Sequence, residues 1–352
     1  MSVYSEIVMA IVIGSDEHKD FVSSIAKNIE GSKVFFYKKT QFRGYSSGGI
    51  WIGEHKISFP EELIKEMQKD DDVILVIRGK YKYWNSDSMF MEVCQLVDTL
   101  KSSGPNMKGV KAGRLCLVLP KEGYVKQDKI FKDDKGEKVF GKSLSIATHR
   151  KVLKKLGTDI IISLYPHDFR LPDDKEDWIK TDYQNWKEFA WAVNPVKLIP
   201  DYFRKNNIAI DIVVAPDKSA YDFSKYIADS IGADCLCIDS HRSREDCGIV
   251  TSKNALHRDL SGKFVLIPDD WILAGGKTKN AIKFVRPKGH KDKWPKEIHI
   301  AVIHGEMNGN AYDELMEKDI KLYCTNSVEN PAGIIDVTDI LADRIKKLFL
   351  DG

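Results

Sequence analysis

Apolar residues in this chain come in short runs separated by polar stretches. Runs of strand length fall at Ala10–Ile13, Val34–Tyr37, Val73–Ile77, Leu115–Leu119, Ile160–Leu164, Ile210–Ala215, Cys235–Ile238, Phe264–Ile267, Ile298–Ile303 and Ile334–Val337. Most are continuous rather than alternating, as in strands buried on both faces of a sheet. Between several of them the spacing changes to a helical period. In segment 86–104, Met89, Val93, Leu96, Val97 and Leu100 share one face. Ser86 or Asp87 is placed to cap its start and Gly104 to end it. Segments 143–157 and 220–232 follow the same plan, each closing on glycine before a strand. This order predicts an α/β class with mostly parallel sheets.

The rhythm runs through two cycles, 1–180 and 181–352. The polar, aromatic-rich segment DWIKTDYQNWKEFAWAVNP (177–195) joins them. A length of 352 residues suits two domains of ordinary size. With 43% hydrophobic and 30% charged residues, a packed core is expected and disorder is not. The net charge of +2 is too near neutral to argue for a nucleic-acid partner. The six cysteines form no C-x-x-C pair and read as free thiols. Cys235 and Cys237 are expected on one face of a strand. The apolar run 7–13 lacks a basic flank, and nothing approaches the ~20 apolar residues of a membrane span. A cytoplasmic location without membrane contact is expected.

One segment changes the picture. KFVLIPDDWILAGGKTKN (263–280) ends in Gly-Gly-Lys-Thr, the close of a P-loop. The P-loop spacing G-x-x-x-x-G-K-[ST] would put its first glycine at position 271, which is Trp271. Asp269 and Asp270 follow the run Phe264–Ile267 and are expected at a strand end, with a loop and a helix after them. Carboxylates there can face ribose hydroxyls or a metal, and loop amides at a helix N-terminus can hold a phosphate. Three further loops after predicted strands are ligand candidates: 119–132, 163–169 and the stretch that opens with VVAPDKSA at Val213.

Seven colinear segments carry a resemblance. They are NSDSMFMEVCQLVDTLKSSG, GYVKQDKIFKDDKGEKVFGKSLS, WAVNPVKLIPDYF, VVAPDKSA, VLIPDDWILAGGKT, AVIHGEMNGNA and YCTNSV. Together they make the chain similar to the ribose-phosphate pyrophosphokinases, from about Tyr37 onward. The resemblance implies two tandem type I phosphoribosyltransferase-like domains. It implies transfer of the β,γ-diphosphate of ATP to the C1 hydroxyl of ribose 5-phosphate, with Mg2+ and release of AMP. It places Asp269 and Asp270 on the ribose, and Ala274, Gly275, Gly276, Lys277 and Thr278 on the 5-phosphate. It gives Asp217 and His167 to the metal, and Lys126, Gln127 and Asp128 to ATP. It places Tyr45 and Ser47 in a loop that reaches adenine across a subunit interface, so a homo-oligomer, dimer or larger, is expected.

The departures from the family pattern matter too. Ser240 stands where the family carries a catalytic lysine, two residues before Arg242. Arg242 matches the family's arginine, and His241, Arg244 or Lys253 could supply the missing charge. Tyr165 stands at a metal-binding histidine position, with His167 two residues on. In the phosphate loop the usual Asp-Thr becomes Leu273-Ala274, and Lys277 adds a cation. These changes admit other readings: the same chemistry on a larger ribose such as ADP-ribose, a catalytically weak regulatory homologue, or a phosphoribosyltransferase. His304 and His149 are expected to pack rather than to bind metal.

Overall fold

A computed structural model describes residues 10–41, 45–47, 50–52, 55–67, 70–80, 86–102, 111–124, 145–166, 189–238, 240–242, 250–252, 259–317 and 319–351. Two large sheets dominate it. The first runs, in spatial order, Ala190–Val193, Ile160–Leu164, Leu115–Leu119, Val73–Val76, Ile11–Ser15, Lys33–Gln41, His55–Ser58. All its pairings are parallel except the last. The second runs Asp234–Cys237, Ile212–Ala215, Phe264–Ile272, Glu297–Gly305, Ile320–Thr325, Gly333–Ile335, and is parallel throughout. The continuous apolar runs become central strands because both faces are covered. Every residue of Leu115–Leu119 is 0% exposed.

The helical periodicity also holds. In helix Ser86–Lys101, Val93, Leu96, Val97 and Leu100 are all buried, and the helix packs on Ser145–Leu156. Helix Tyr221–Ile231 ends at Gly232, whose φ of 71° is the left-handed cap that glycine adopts without strain.

In the two large sheets, strands His55–Ser58, Ala190–Val193 and Ile320–Thr325 were not among the expected runs. Ile320–Thr325 is interrupted by the exposed Lys321, so no continuous apolar stretch marks it. Ala190–Val193 lies inside the segment read as a connector. It instead adds an edge strand to the first sheet, so that sheet extends past residue 180.

The two halves are knitted together. Helix Thr338–Ile345 returns from the second sheet to pack on Lys19–Lys27 and on the strands Ile160–Leu164 and Ala190–Val193. Asn28 Nδ2 donates to Asp339 Oδ1 at 2.8 Å across that contact. Val328–Glu329 pairs in parallel with Gly79–Lys80. One face of the second sheet, with Val213, Leu266, Ala301 and Ile303, shares a core with the first sheet. Its other face, with Ile212, Val214, Val265 and Ile267, forms a separate cluster under helix Gly276–Val285.

Candidate functional site

Strands Ile212–Ala215 and Phe264–Ile272 lie side by side in parallel, so their C-terminal ends deliver Asp217 and Asp269 to one edge of the sheet. Ligands in open α/β sheets bind at this edge. The strand does not stop before the aspartates, as the apolar run implied. It continues to Ile272, with Asp269 paired to Val302 and Trp271 to His304. Strand alternation then sends neighbouring side chains to opposite faces. Asp269 is 2% exposed, whereas Asp270 is half-buried.

The chain then turns through Leu273 to Gly275 into helix Gly276–Val285. Gly275 sits at φ 72°, a left-handed conformation that glycine enters freely. The next loop braces this turn: Glu306 N donates to Ile272 O at 3.1 Å and Asn308 N to Leu273 O at 2.8 Å. The helix starts at Gly276, so the amides of residues 274–278 stand at its N-terminus, where an anion is favoured.

A cleft of about 740 Å³ opens here. Asp217, Asp269, Asp270 and all of Ala274 to Thr278 line it, together with Lys218, Ser219 and Trp271 to Leu273. The structure therefore gathers every residue expected on the sugar phosphate, and Asp217 with them.

Lys277 binds inward. Its Nζ lies 2.9 Å from Asp269 Oδ1 and 3.1 Å from Asp217 Oδ2. Asp217 Oδ1 accepts from Ser219 Oγ at 2.6 Å and from Ala220 N at 3.0 Å. Asp269 Oδ1 also accepts from Asp270 N at 3.0 Å, while its buried Oδ2 meets no hydrogen-bond donor among the described residues. Burial would lower the Lys277 ammonium, but Asp269 and Asp217 outweigh it and push it up. Burial would raise Asp217; Lys277 outweighs it and holds the carboxyl below its usual value. Asp269 goes the other way: burial and Asp270 push it up, against the pull of Lys277.

The donor set bears on the metal that the resemblance implies. Both oxygens of Asp217 are engaged within the chain, and an ammonium lies between it and Asp269. Among the described residues no group of three or more His, Cys, Asp or Glu side chains is placed to hold a metal ion. A divalent ion does not fit between Asp217 and Asp269 while Lys277 lies there.

Behind the cleft runs a buried polar seam between the two sheets. Lys121, just past strand Leu115–Leu119, puts Nζ 2.6 Å from Glu306 Oε1 and 4.1 Å from the Trp271 ring centroid. His304 joins the sheets from the other side. Its Nε2 is 2.9 Å from Leu164 O, and its Nδ1 is 3.0 Å from Ser327 Oγ. With the proton on Nε2, the ring donates to Leu164 and accepts from Ser327. Burial and the nearby Lys121 push His304 down to about 4, so the ring is neutral. Tyr165, at the histidine position of the resemblance, is 8% exposed, packs on Phe223 and has φ 37°. Such a φ costs a non-glycine residue of order 1–3 kcal/mol and is held by its surroundings.

Next to this seam, Glu122 and Arg150 form a forked ion pair with contacts of 2.9 and 2.7 Å, both side chains at 0% exposure. His149 packs beside them between Phe90 and Tyr124, as a packing role implied. Lys121, Glu122, Arg150 and Glu306 were not singled out from sequence. The only signal was a Lys-Glu pair directly after a buried strand, a place where water is scarce.

Other expected residues lie on two short strand pairs. His241 and Arg242 lie on strand Ser240–Arg242, whose backbone pairs antiparallel with Val250–Ser252. Tyr45 and Ser47 lie on strand Tyr45–Ser47, which pairs with Ile50–Ile52. Lys126, Gln127, Asp128, His167 and Arg244 lie outside the described residues.

No protein-family profile matches the chain. Similar curated proteins are named ribose-phosphate pyrophosphokinase. The one from Sulfurisphaera tokodaii is 27% identical over 302 residues, covering 84% of this chain and 88% of the relative. The one from Pyrococcus furiosus is 28% identical over 277 residues, covering 79% and 86%. Among solved structures, phosphoribosylpyrophosphate synthetase from Mycobacterium smegmatis superposes with a TM-score of 0.67 at 21% identity, covering 97% of this chain and all of that one. The fold is therefore the tandem arrangement of two type I phosphoribosyltransferase-like domains.

Proposed function

We propose that this chain, a divergent relative of the ribose-phosphate pyrophosphokinases, is a diphosphotransferase acting on ATP and a ribose phosphate. The supporting observation is the cleft itself. One sheet edge brings two adjacent carboxylates and a helix N-terminus into a single cleft of about 740 Å³. That pairing suits a ligand with vicinal hydroxyls at one end and a phosphate at the other.

In this reading Asp269 and Asp270 accept hydrogen bonds from the ribose hydroxyls. The amides of the 274–278 loop receive the 5-phosphate. The C1 hydroxyl attacks the β-phosphorus of ATP. A C1–O–P bond forms, the bond from the α–β bridging oxygen to the β-phosphorus breaks, and AMP leaves with that oxygen while the hydroxyl proton passes to water. Catalysis of this kind is mostly positioning and charge stabilisation. Lys126, Gln127, Asp128 and Arg242 are proposed for the triphosphate, and His241 or Arg244 for the charge that Ser240 cannot supply. Mg2+ would enter as the counter-ion of the triphosphate. Oligomerisation follows if the 45–52 hairpin serves a neighbouring subunit.

Ribose 5-phosphate is the first acceptor to test. ADP-ribose is the second, because the phosphate loop is bare. Ala274 and Gly276 are exposed, and among the described residues nothing outside its chain neighbours and its own helix backbone lies within 4 Å of where a side chain on Gly276 would begin. The test incubates the full chain with ATP, Mg2+ and each acceptor in turn, following AMP and the diphosphorylated sugar. AMP with either acceptor supports the reading and names the substrate. ATP left intact with both would sink it and favour a regulatory homologue.

A further inference from the structure

We propose that Lys277 is a built-in cation that takes the place of a metal ion between Asp217 and Asp269, so that the sugar side of the cleft holds its ligand with no divalent ion at that position. The inference deepens the reading of the cleft as a sugar-phosphate site and rests on it.

The first support is geometric. The Lys277 ammonium is at charge-assisted hydrogen-bond distance from both carboxylates, 2.9 and 3.1 Å. The three side chains are shielded from water, at 24% exposure for Lys277, 17% for Asp217 and 2% for Asp269. Carboxylates so placed need a positive charge beside them.

The second support is where the lysine comes from. Residue 277 is in the first turn of helix Gly276–Val285, where the helix dipole disfavours a cation. The two aspartates supply the attraction that overrides this.

The third is Asp269 Oδ2, which is buried in the wall of the cleft and meets no hydrogen-bond donor among the described residues. A ligand hydroxyl is the missing donor. An ammonium carries three N–H donors. Two serve Asp217 and Asp269, which leaves a third for a ligand oxygen. A magnesium ion would instead require about six oxygens at ~2.1 Å in a near-octahedral shell. The chemistry thus favours a neutral hydroxyl or singly charged oxygen, bound without metal bridging.

The test counts Mn2+ bound per full-length chain by electron paramagnetic resonance, without nucleotide. Lys277→Met is expected to bind one more ion than the wild type, and Lys277→Arg no more. Mg2+ is expected to raise the melting temperature of Lys277→Met and leave that of the wild type unchanged. Asp217→Asn guards against a variant that fails to fold. In the wild-type background it is expected to leave the Mn2+ count unaltered. Loss of an ion in Asp217→Asn, or no gain in a folded Lys277→Met, overturns the proposal. Calorimetry with ribose 5-phosphate in EDTA separates this from the functional reading. Binding in EDTA agrees with both. Binding only with Mg2+ overturns the built-in cation. No binding under either condition overturns the sugar-phosphate reading, while the ion count still decides the role of Lys277.

Discussion

Lys121 and Glu306 meet at 2.6 Å in the seam between the two sheets, with only 2% and 1% of their side chains exposed. Lys121 follows strand Leu115–Leu119, and Glu306 follows strand Glu297–Gly305, which carries His304. Each is buried, so removing one takes from the other an opposite charge at 2.6 Å. Lys121→Met is therefore expected to destabilise the fold by about 3–5 kcal/mol, the usual cost of breaking a buried pair from one side. Lys121→Met combined with Glu306→Met removes both charges and is expected to recover most of the loss. Urea unfolding of the three proteins checks this. A double variant no better than the single one would show that the pair is not the source of the effect.

Acid should weaken the fold in two stages. His304 is neutral in the folded protein, with its pKa pushed down from 6.5 to about 4 by burial and Lys121. The unfolded chain binds the extra proton first, so stability is lost as pH falls from 6.5 to about 4. Glu122 acts lower. Burial alone would raise it, but Arg150 outweighs burial and holds it at about 2, against 4.5 when free. Its contribution is fully present above 4.5 and disappears as pH falls through about 2. At ~1.4 kcal/mol per unit, each is on the order of 3 kcal/mol. Burial also pushes His18 and His299 down to about 4, so His304→Asn should remove only its own share of the upper stage, and Glu122→Gln should flatten the lower. Glu122→Gln should also lower stability at neutral pH, because Arg150 stays buried and charged.

Asp270 should matter for ligand more than for fold. It lines the cleft and is half-buried. Asp270→Asn keeps the shape but removes the charge that strengthens bonds to hydroxyls. Loss of charge-assisted hydrogen bonds of about 1.5–3 kcal/mol predicts roughly 10- to 100-fold weaker sugar-phosphate binding. The melting temperature should move little. Titration calorimetry beside a thermal melt measures both.

Gly275 tests the phosphate loop. A methyl group there would meet only ordinary contacts, the nearest being Lys279 Cε at 3.5 Å. The cost of Gly275→Ala is then the left-handed backbone, about 1–2 kcal/mol. If the loop relaxes to avoid it, the amides at the start of helix Gly276–Val285 move, and phosphate affinity falls further than stability. Equal losses in both would argue that the loop geometry is indifferent to ligand.

Much of this could be read from the sequence because burial leaves a simple trace. Strands such as Leu115–Leu119 are covered on both faces, so their apolar runs are unbroken. The Asp269–Asp270 pair and the Ala274–Thr278 loop were legible because they form one short segment of chain. The inward turn of Lys277 was not. It depends on Asp217, sixty residues earlier in sequence, and only the pairing of two parallel strands brings the two together. The seam was hidden for the same reason. Lys121 and Glu306 look like ordinary surface charges until both sheets are assembled. Strand Ala190–Val193 was missed because its neighbourhood is rich in charge and tryptophan, a composition that also marks connectors.

The return of helix Thr338–Ile345 to the first sheet has a consequence for the newborn chain. The N-terminal half leaves the ribosome early, yet the surface of Lys19–Lys27, Ile160–Leu164 and Ala190–Val193 that this helix covers stays bare until residues 338–345 have been made. Domains otherwise tend to fold as units, N-terminal first. Here the earliest part to be synthesised is among the last to be finished, so chaperone dependence should concentrate in that interval. Nascent chains arrested before residue 338 should retain a protease-sensitive first half, and those extended past it should lose that sensitivity.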